Sequence, residues 1–226
     1  MWREIREAIR PFTALPVPER LFVAGRMLSA PLAQVASRVP AGRVLDIGCG
    51  HGALVSLMAN GRGDRQVLGI DPDPRKIAWA RASVGALANV ELRVATVDAL
   101  EPELASSFDA VVVADVLYLL PLDQWEPFLA TVVRLLRPGG LLLLKEAEAD
   151  GSWRHLKCLL QEWLMVRVLH RTHTSGGLHL QPRAFTEQLL RTVGLEDVRS
   201  ISLRRGYTTP HVMFEARRRS DQRRFS

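Results

Sequence analysis

Val44-Leu45-Asp46-Ile47-Gly48-Cys49-Gly50-His51-Gly52 is a short apolar run that breaks into three glycines at alternate positions. An apolar run of this length reads as a buried strand, and the glycines let the chain turn tightly and lie flat against a ligand. The helix expected from about Ala53 points its free N–H groups into the same crevice, a setting suited to a nucleotide-like cofactor.

The flanking sequence repeats the strand–helix alternation. A second apolar run, Val67-Leu68-Gly69-Ile70, ends in Asp71, and a carboxylate at the tip of a second strand can accept hydrogen bonds from both ribose hydroxyls of an adenosine ligand. A third strand, Val90 to Ala95, leads to Asp98, and a fourth, Phe108 to Asp115, runs into Val116-Leu117-Tyr118. A helix, the turn Leu135-Leu136-Arg137-Pro138-Gly139-Gly140 and a fifth strand, Leu141 to Leu144, follow. Five alternations of strand and helix predict a mostly parallel sheet with helices on both faces. A nicotinamide-type fold would show Gly-x-Gly-x-x-Gly, whereas this chain has Gly-x-Gly-x-Gly with Asp46 two residues before the first glycine.

In this order the motifs resemble the class I S-adenosylmethionine-dependent methyltransferases, and within them the small-molecule branch that includes quinone-biosynthesis enzymes. The resemblance is detailed over roughly residues 40 to 147. It implies a Rossmann-like α/β fold with a seven-stranded, mostly parallel sheet and an antiparallel strand seven. Helical caps would come from the N-terminus and from the segment after strand five. The implied cofactor is S-adenosyl-L-methionine. Gly48, Cys49, Gly50 and Gly52 would lie against it, and Asp46 would hold the loop and the methionine amino group. Asp71, followed by Pro72, would grip the ribose. Asp98 would meet the adenine amino group, and Asp115 would sit near the methyl donor. Cys49 reads as a small packing residue within the loop rather than a nucleophile.

The implied reaction is methyl transfer to a small, partly apolar metabolite. An oxygen or nitrogen acceptor must lose its proton, and histidine is the usual base near neutral pH. His211, with Tyr207, is the candidate base, and Tyr118 a candidate substrate contact; each reads equally well as structural. Glu146 and Glu148 flank the end of strand five, where one could face the acceptor. His170, His173 and His179 lack a metal-ligand spacing, so no metal is expected. Strand four ends Asp-Val-Leu-Tyr, without the Asn/Asp-Pro-Pro-Tyr/Phe clamp of enzymes that methylate adenine, cytosine or glutamine, which argues against nucleic acid as acceptor. RNA or protein methylation, or a non-catalytic binding role, are the alternatives.

A chain of 226 residues fits one domain with a cap. Residues 1–40 form an N-terminal helical segment, with Trp2, Ile5, Ile9 and Phe12 at helical spacing and further turns over Leu21–Leu28 and Pro31–Val39. This segment either covers the substrate mouth or packs on the sheet edge, and its apolar face also allows docking on a membrane surface. Residues 41–216 form the methyltransferase domain, with 148–181 as a cap insertion whose tryptophans and leucines suit a lipid-like or aromatic acceptor. Val198–Leu203 and His211–Ala216 read as strands six and seven, an antiparallel hairpin. Residues 217–226 read as a solvated basic tail, since residues 216–226 carry +4 of the net +6. No apolar run approaches the roughly 20 residues that span a bilayer, no signal peptide is evident, and Cys49 and Cys158 make no disulfide framework, so a cytoplasmic location is expected. Oligomeric state has no signature.

Overall fold

Alternate residues of the central strands belong to two different cores. Val44, Val67, Ala110, Val112 and Leu143 pack on one side of the sheet, while Leu45, Leu68, Val111, Val113, Leu142 and Leu144 pack on the other. Successive side chains of a strand point to opposite faces, so strands apolar at every position must be covered on both. The computed structural model, which describes residues 10–147, 179–203 and 211–220, shows this arrangement.

Seven strands form one sheet in the order β3-β2-β1-β4-β5-β7-β6. They are β1 (Gly42–Ile47), β2 (Arg65–Asp71), β3 (Val90–Val94), β4 (Phe108–Ala114), β5 (Leu136–Ala147), β6 (Leu195–Ser202) and β7 (His211–Arg218). Pairs among β1 to β5 are parallel, and β7 lies antiparallel between β5 and β6. The first face is covered by α1 (Val17–Ser29), α2 (Leu32–Ala36), α3 (Ala53–Ala59) and α4 (Pro74–Val84). The second is covered by α5 (Val97–Leu104), α6 (Trp125–Leu135) and α7 (Arg183–Thr192). This is the Rossmann-like sheet that the sequence implied.

Three details differ from the sequence reading. Strand β5 begins at Leu136, five residues early: Phe108 pairs with Leu136 and Ala110 with Leu141, so Arg137–Gly140 bulge out of a continuous strand. A Cβ on Gly140 would lie 2.8 Å from the Arg137 carbonyl and 3.1 Å from that of Phe108, which is why the bulge needs glycine there. The tail is shorter than expected, because Arg217 and Arg218 belong to β7. Arg218 Nη1 donates to the carbonyls of Arg134 and Leu136, closing the C-terminal end of α6. In the N-terminal segment the helix begins at Val17, and α2 is confined to Leu32–Ala36. Residues 1–9 and most of the 148–181 insertion lie outside the described residues, as do His170, His173 and Glu148.

Buried Arg65, at the foot of β2, ties the N-terminal segment to the sheet. Its guanidinium donates to the carbonyls of Ala36, Val39, Pro40 and Met58. The chain therefore enters β1 from a fixed direction, and α1 is laid across the carboxyl ends of the strands.

Candidate active site

The strand order reverses between β1 and β4: the chain builds outward to β3 and then returns to the other side of β1. Ligands of open α/β sheets bind at such a switch point, outside the carboxyl ends of the strands. A cavity of about 840 Å³ lies there, in the upper part of the roughly 300–1,000 Å³ range of small-molecule sites. Its walls come from the loop after β1, the loop after β2, the turn after β4 and the inner side of α1.

The β1 wall is backbone brought close. The N–H groups of Gly48 and Cys49 both donate to the Ile70 carbonyl, at 2.8 and 2.9 Å, stitching the loop to the tip of β2. A Cβ on Gly48, where φ is +73°, would sit 2.5 Å from Val116 Cγ2, so only glycine lets this loop touch the turn after β4. Gly50, at φ +55°, opens onto empty space, leaving its peptide exposed to a ligand. Asp71 is set by the same loop: Oδ2 accepts from Gly50 N (3.0 Å) and Oδ1 from Asp73 N (2.9 Å). A carboxylate has about four lone-pair sites, so two remain for ligand hydroxyls. Pro72 lines the cavity beside it, and Lys76 Nζ stands 4.0 Å from Oδ2.

Asp46, at the end of β1, is 2% exposed, lines the cavity and has an Oδ2 without a hydrogen-bond partner. Burial pushes its carboxyl up to about 8, with Arg26 opposing and Asp71 adding to the shift. Burial, then Asp46 and Asp71, hold the Cys49 thiol well above its ordinary range, so it packs rather than reacts.

The β4 wall is built from charge. Asp115 adopts φ +59°, and its side chain is 6% exposed. Oδ1 accepts from Lys145 Nζ (2.5 Å) and Oδ2 from Arg26 Nη2 (2.9 Å). Burial alone would raise its carboxyl, but Lys145 and Arg26 outweigh that and hold it at about 2. The turn that follows is pinned by Glu146, whose carboxylate accepts from the backbone N–H groups of Val116, Leu117 and Tyr118. Glu146 thus faces the backbone of this turn rather than an acceptor, and burial raises its carboxyl to about 8.

Helix α1 supplies the roof. Phe22, Val23 and Arg26 line the cavity. Glu19 Oε2 lies 2.8 Å from His51 Nε2, and the His51 ring stacks on Trp79 at 4.9 Å between centroids. One helix thereby touches the glycine loop through Glu19 and the β4 wall through Arg26.

The cavity brings together Asp46, Gly48, Cys49, Gly50, Asp71, Pro72 and Asp115, with Gly52 capping α3 behind them. Three expected site residues lie elsewhere. Asp98 is exposed in the first turn of α5, accepts from Thr131 Oγ1 (3.3 Å) and is not among the cavity-lining residues. Tyr118 is buried in the core on the far face of the sheet. His211 is buried at the head of β7 and does not line the cavity. Burial, with Lys145 adding, lowers its pKa to about 3, so its ring is neutral and weakly basic. Tyr207 lies outside the described residues. Among the described residues no cluster fits a metal.

Sequence reading missed Arg26, His51 and Lys145. The usable signal was Lys145, which continues the apolar run Leu141–Leu144 in a strand that must be covered on both faces. A lysine there has to be paired.

Residues 44–140 match the family model described as a methyltransferase domain. A ubiquinone biosynthesis O-methyltransferase of Xanthomonas campestris pv. campestris (strain B100) is 40% identical over 115 residues, 49% of this chain and 46% of that protein. The chain spans about half the length of the curated relatives it matches. Among solved structures, an O-methyltransferase family protein from Burkholderia thailandensis superposes with a TM-score of 0.71 at 22% identity, over 94% of this chain and 63% of that one. Human N-acetylserotonin methyltransferase, solved in complex with SAM, gives 0.66 at 15% identity, over 97% and 58%. Residues 44–140 thus match a methyltransferase domain, and the chain shares the fold of these methyltransferases.

Proposed function

We propose that this chain transfers a methyl group from S-adenosylmethionine to a small, partly apolar metabolite by in-line displacement. The observation that carries the reading is the mixed lining of the cavity, which combines backbone and carboxylates (Asp46, Gly50, Asp71) with apolar side chains (Phe22, Val23, Leu32, Leu119, Leu120).

The residues present fit the cofactor. Asp46 offers a buried oxygen without a partner, which suits the amino-acid ammonium. Arg26, in the roof, carries a positive charge on the cavity wall that suits the carboxylate. Asp71 offers two free lone-pair sites to the ribose hydroxyls. When bound, the cofactor supplies a methyl group already activated on a sulfonium, so the protein need not create a leaving group.

What remains for the protein is to position the acceptor and exclude water. The apolar lining residues serve both ends: Phe22 and Val23 of α1, with Leu119 and Leu120 beyond β4, favour an apolar body over water. Asp115 is held ionised far below neutral pH by Lys145 and Arg26, so it accepts a hydrogen bond and does not take up the acceptor's proton. Among the described residues no helix is long and apolar enough to cross a membrane, and the buried thiol of Cys49 suits a reducing cytoplasm.

The test is transfer of a labelled methyl group from S-adenosylmethionine into fractionated host extract. Label in the small-metabolite or organic fraction supports the reading and supplies material to identify the acceptor. Label in RNA or protein overturns the acceptor class. No transfer despite cofactor binding overturns catalysis in favour of a binding role.

A further inference from the structure

Asp46 differs from the other carboxylates of the cavity wall in having an oxygen that nothing holds. Asp71 accepts two backbone N–H bonds, Asp73 holds Arg75, and Asp115 holds Arg26 and Lys145. Asp46 Oδ2 is buried without a partner, yet the residue lines the cavity. Few charges face it. Arg26 approaches from α1 but is committed to Asp115 at 2.9 Å. Asp71 at the tip of β2 is a like charge, with Lys76 of α4 lying against it rather than against Asp46. From its own loop come the neutral thiol of Cys49 and His51, engaged by Glu19.

An ionised carboxylate in this position would be buried with no bond to one oxygen and one shared cation, a state that proteins relieve by keeping the group neutral. We propose that Asp46 is a proton-exchanging receptor: protonated in the free protein, it releases its proton when the primary ammonium of the cofactor's amino-acid portion enters the cavity. The inference rests on the cofactor reading above. Burial raises the carboxyl to about 8, against Arg26 and with Asp71. The O–H proton goes to solvent, the electron pair stays on the carboxylate, and the incoming ammonium neutralises it. The net change is about one proton released per ligand bound. The site thereby reads charge: a ligand alike in all but its amino group leaves Asp46 protonated and releases nothing.

At pH values below the Asp46 midpoint only the ionised fraction binds an ammonium well, and apparent affinity scales with that fraction. The experiment is calorimetric titration of S-adenosylhomocysteine into the full chain at about pH 6, 7 and 8, in phosphate and in Tris, whose ionisation enthalpies differ. Affinity is expected to tighten roughly tenfold from about pH 6 to 7 and to flatten toward 8. At about pH 6 to 7 the two buffers should report heats that differ by about one proton released. Asp46→Asn should remove both effects, and so should the analogue lacking the α-amino group on the wild-type chain, which decides the matter if the variant binds too weakly to titrate. Equal heats in both buffers, or proton release that survives Asp46→Asn, would overturn the proposal while leaving the cofactor assigned. No binding at any pH would overturn the cofactor reading itself.

Discussion

Asp46 and Asp115 end neighbouring strands, line one cavity and are both almost wholly buried, yet they lie at opposite ends of the carboxylate range. Asp46 is raised to about 8 and Asp115 lowered to about 2. Burial pushes both upward, so burial does not separate them. Partners do: Lys145 on β5 and Arg26 on α1 reach Asp115, while Asp46 has a share of Arg26 and a repelling Asp71. The β4 wall is complete without a ligand, whereas the β1 wall carries an acceptor that a ligand can complete. A pre-formed site needs both kinds of group, one to hold its shape and one to provide affinity.

The largest expected effect comes from unmaking the finished wall. Lys145 has 0% side-chain exposure, and Lys145→Met leaves a buried carboxylate with only the partly exposed Arg26. Breaking a buried pair from one side costs about 3–5 kcal/mol, to be read by urea denaturation. Adding Asp115→Asn should return much of the loss, since asparagine tolerates the positive φ and carries no charge. No recovery would mean that Lys145 acts through packing. The pH dependence follows in sign. Because the folded-state pKa of Asp115 is depressed, its stabilisation is present above about pH 4 and lost as pH falls toward about 2. Lys145→Met removes the main cation that depresses it, so the part of the acid limb due to Asp115 should shrink, and the stability gap between variant and wild type should narrow as pH falls from about 4 toward 2.

Next comes Asp71→Ala, which removes the acceptor of the Gly50 and Asp73 N–H groups as well as the ribose contact. S-adenosylhomocysteine should bind 10- to 100-fold more weakly, roughly 1.4 to 2.8 kcal/mol. Unchanged affinity in calorimetry would remove Asp71 from the site.

A smaller effect tests the open wall. Asp46 has a raised folded-state pKa, so its contribution to stability is full below the unfolded value of 3.8 and is lost as pH climbs toward about 8. The cofactor-free protein should lose up to about 1.4 kcal/mol per pH unit from this group between about pH 5 and 7. Asp46→Asn should flatten that part of the slope in chemical denaturation. Glu146, also raised to about 8, contributes to the slope of both proteins, so only their difference reports Asp46. Parallel slopes would mean that Asp46 is already ionised in the free protein.

The same contrast divides what the sequence revealed from what it hid. The β1 wall is local: strand, glycines and carboxylate lie within Val44–Gly52, and Asp71 ends an apolar strand, so spacing and residue type carried both. A mostly parallel sheet covered on both faces followed from alternation, whereas the order of its strands appears only in the fold. The β4 wall is assembled from Arg26, Asp115 and Lys145, which are distant in sequence, and its cations have no local signature. Arg26 is one arginine in a chain where nearly all of the 30 basic residues are arginine. The apolar spacing of α1 indicated a packed helix but not that its polar side would reach the strand ends. Asp98 illustrates the converse: a carboxylate after a strand matched the pattern, and the first turn of α5 places it beside Thr131, outside the cavity lining.

Arg26 joins the two walls, and its replacement should give the smallest change in stability and the most specific change in pH behaviour. Its side chain is 35% exposed, so the bond to Asp115 is screened, and Arg26→Met should cost no more than about 1 kcal/mol in urea. Lys145, on the same carboxylate, should cost several times that, because water cannot replace it. Yet Arg26 is also the cation that restrains the rise of Asp46. Without it the Asp46 carboxyl should ionise at a higher pH, and the midpoint of the pH-dependent affinity for S-adenosylhomocysteine should move upward with it. A midpoint that stays in place while affinity falls would confine Arg26 to direct ligand contact, and the two walls would then be electrostatically separate.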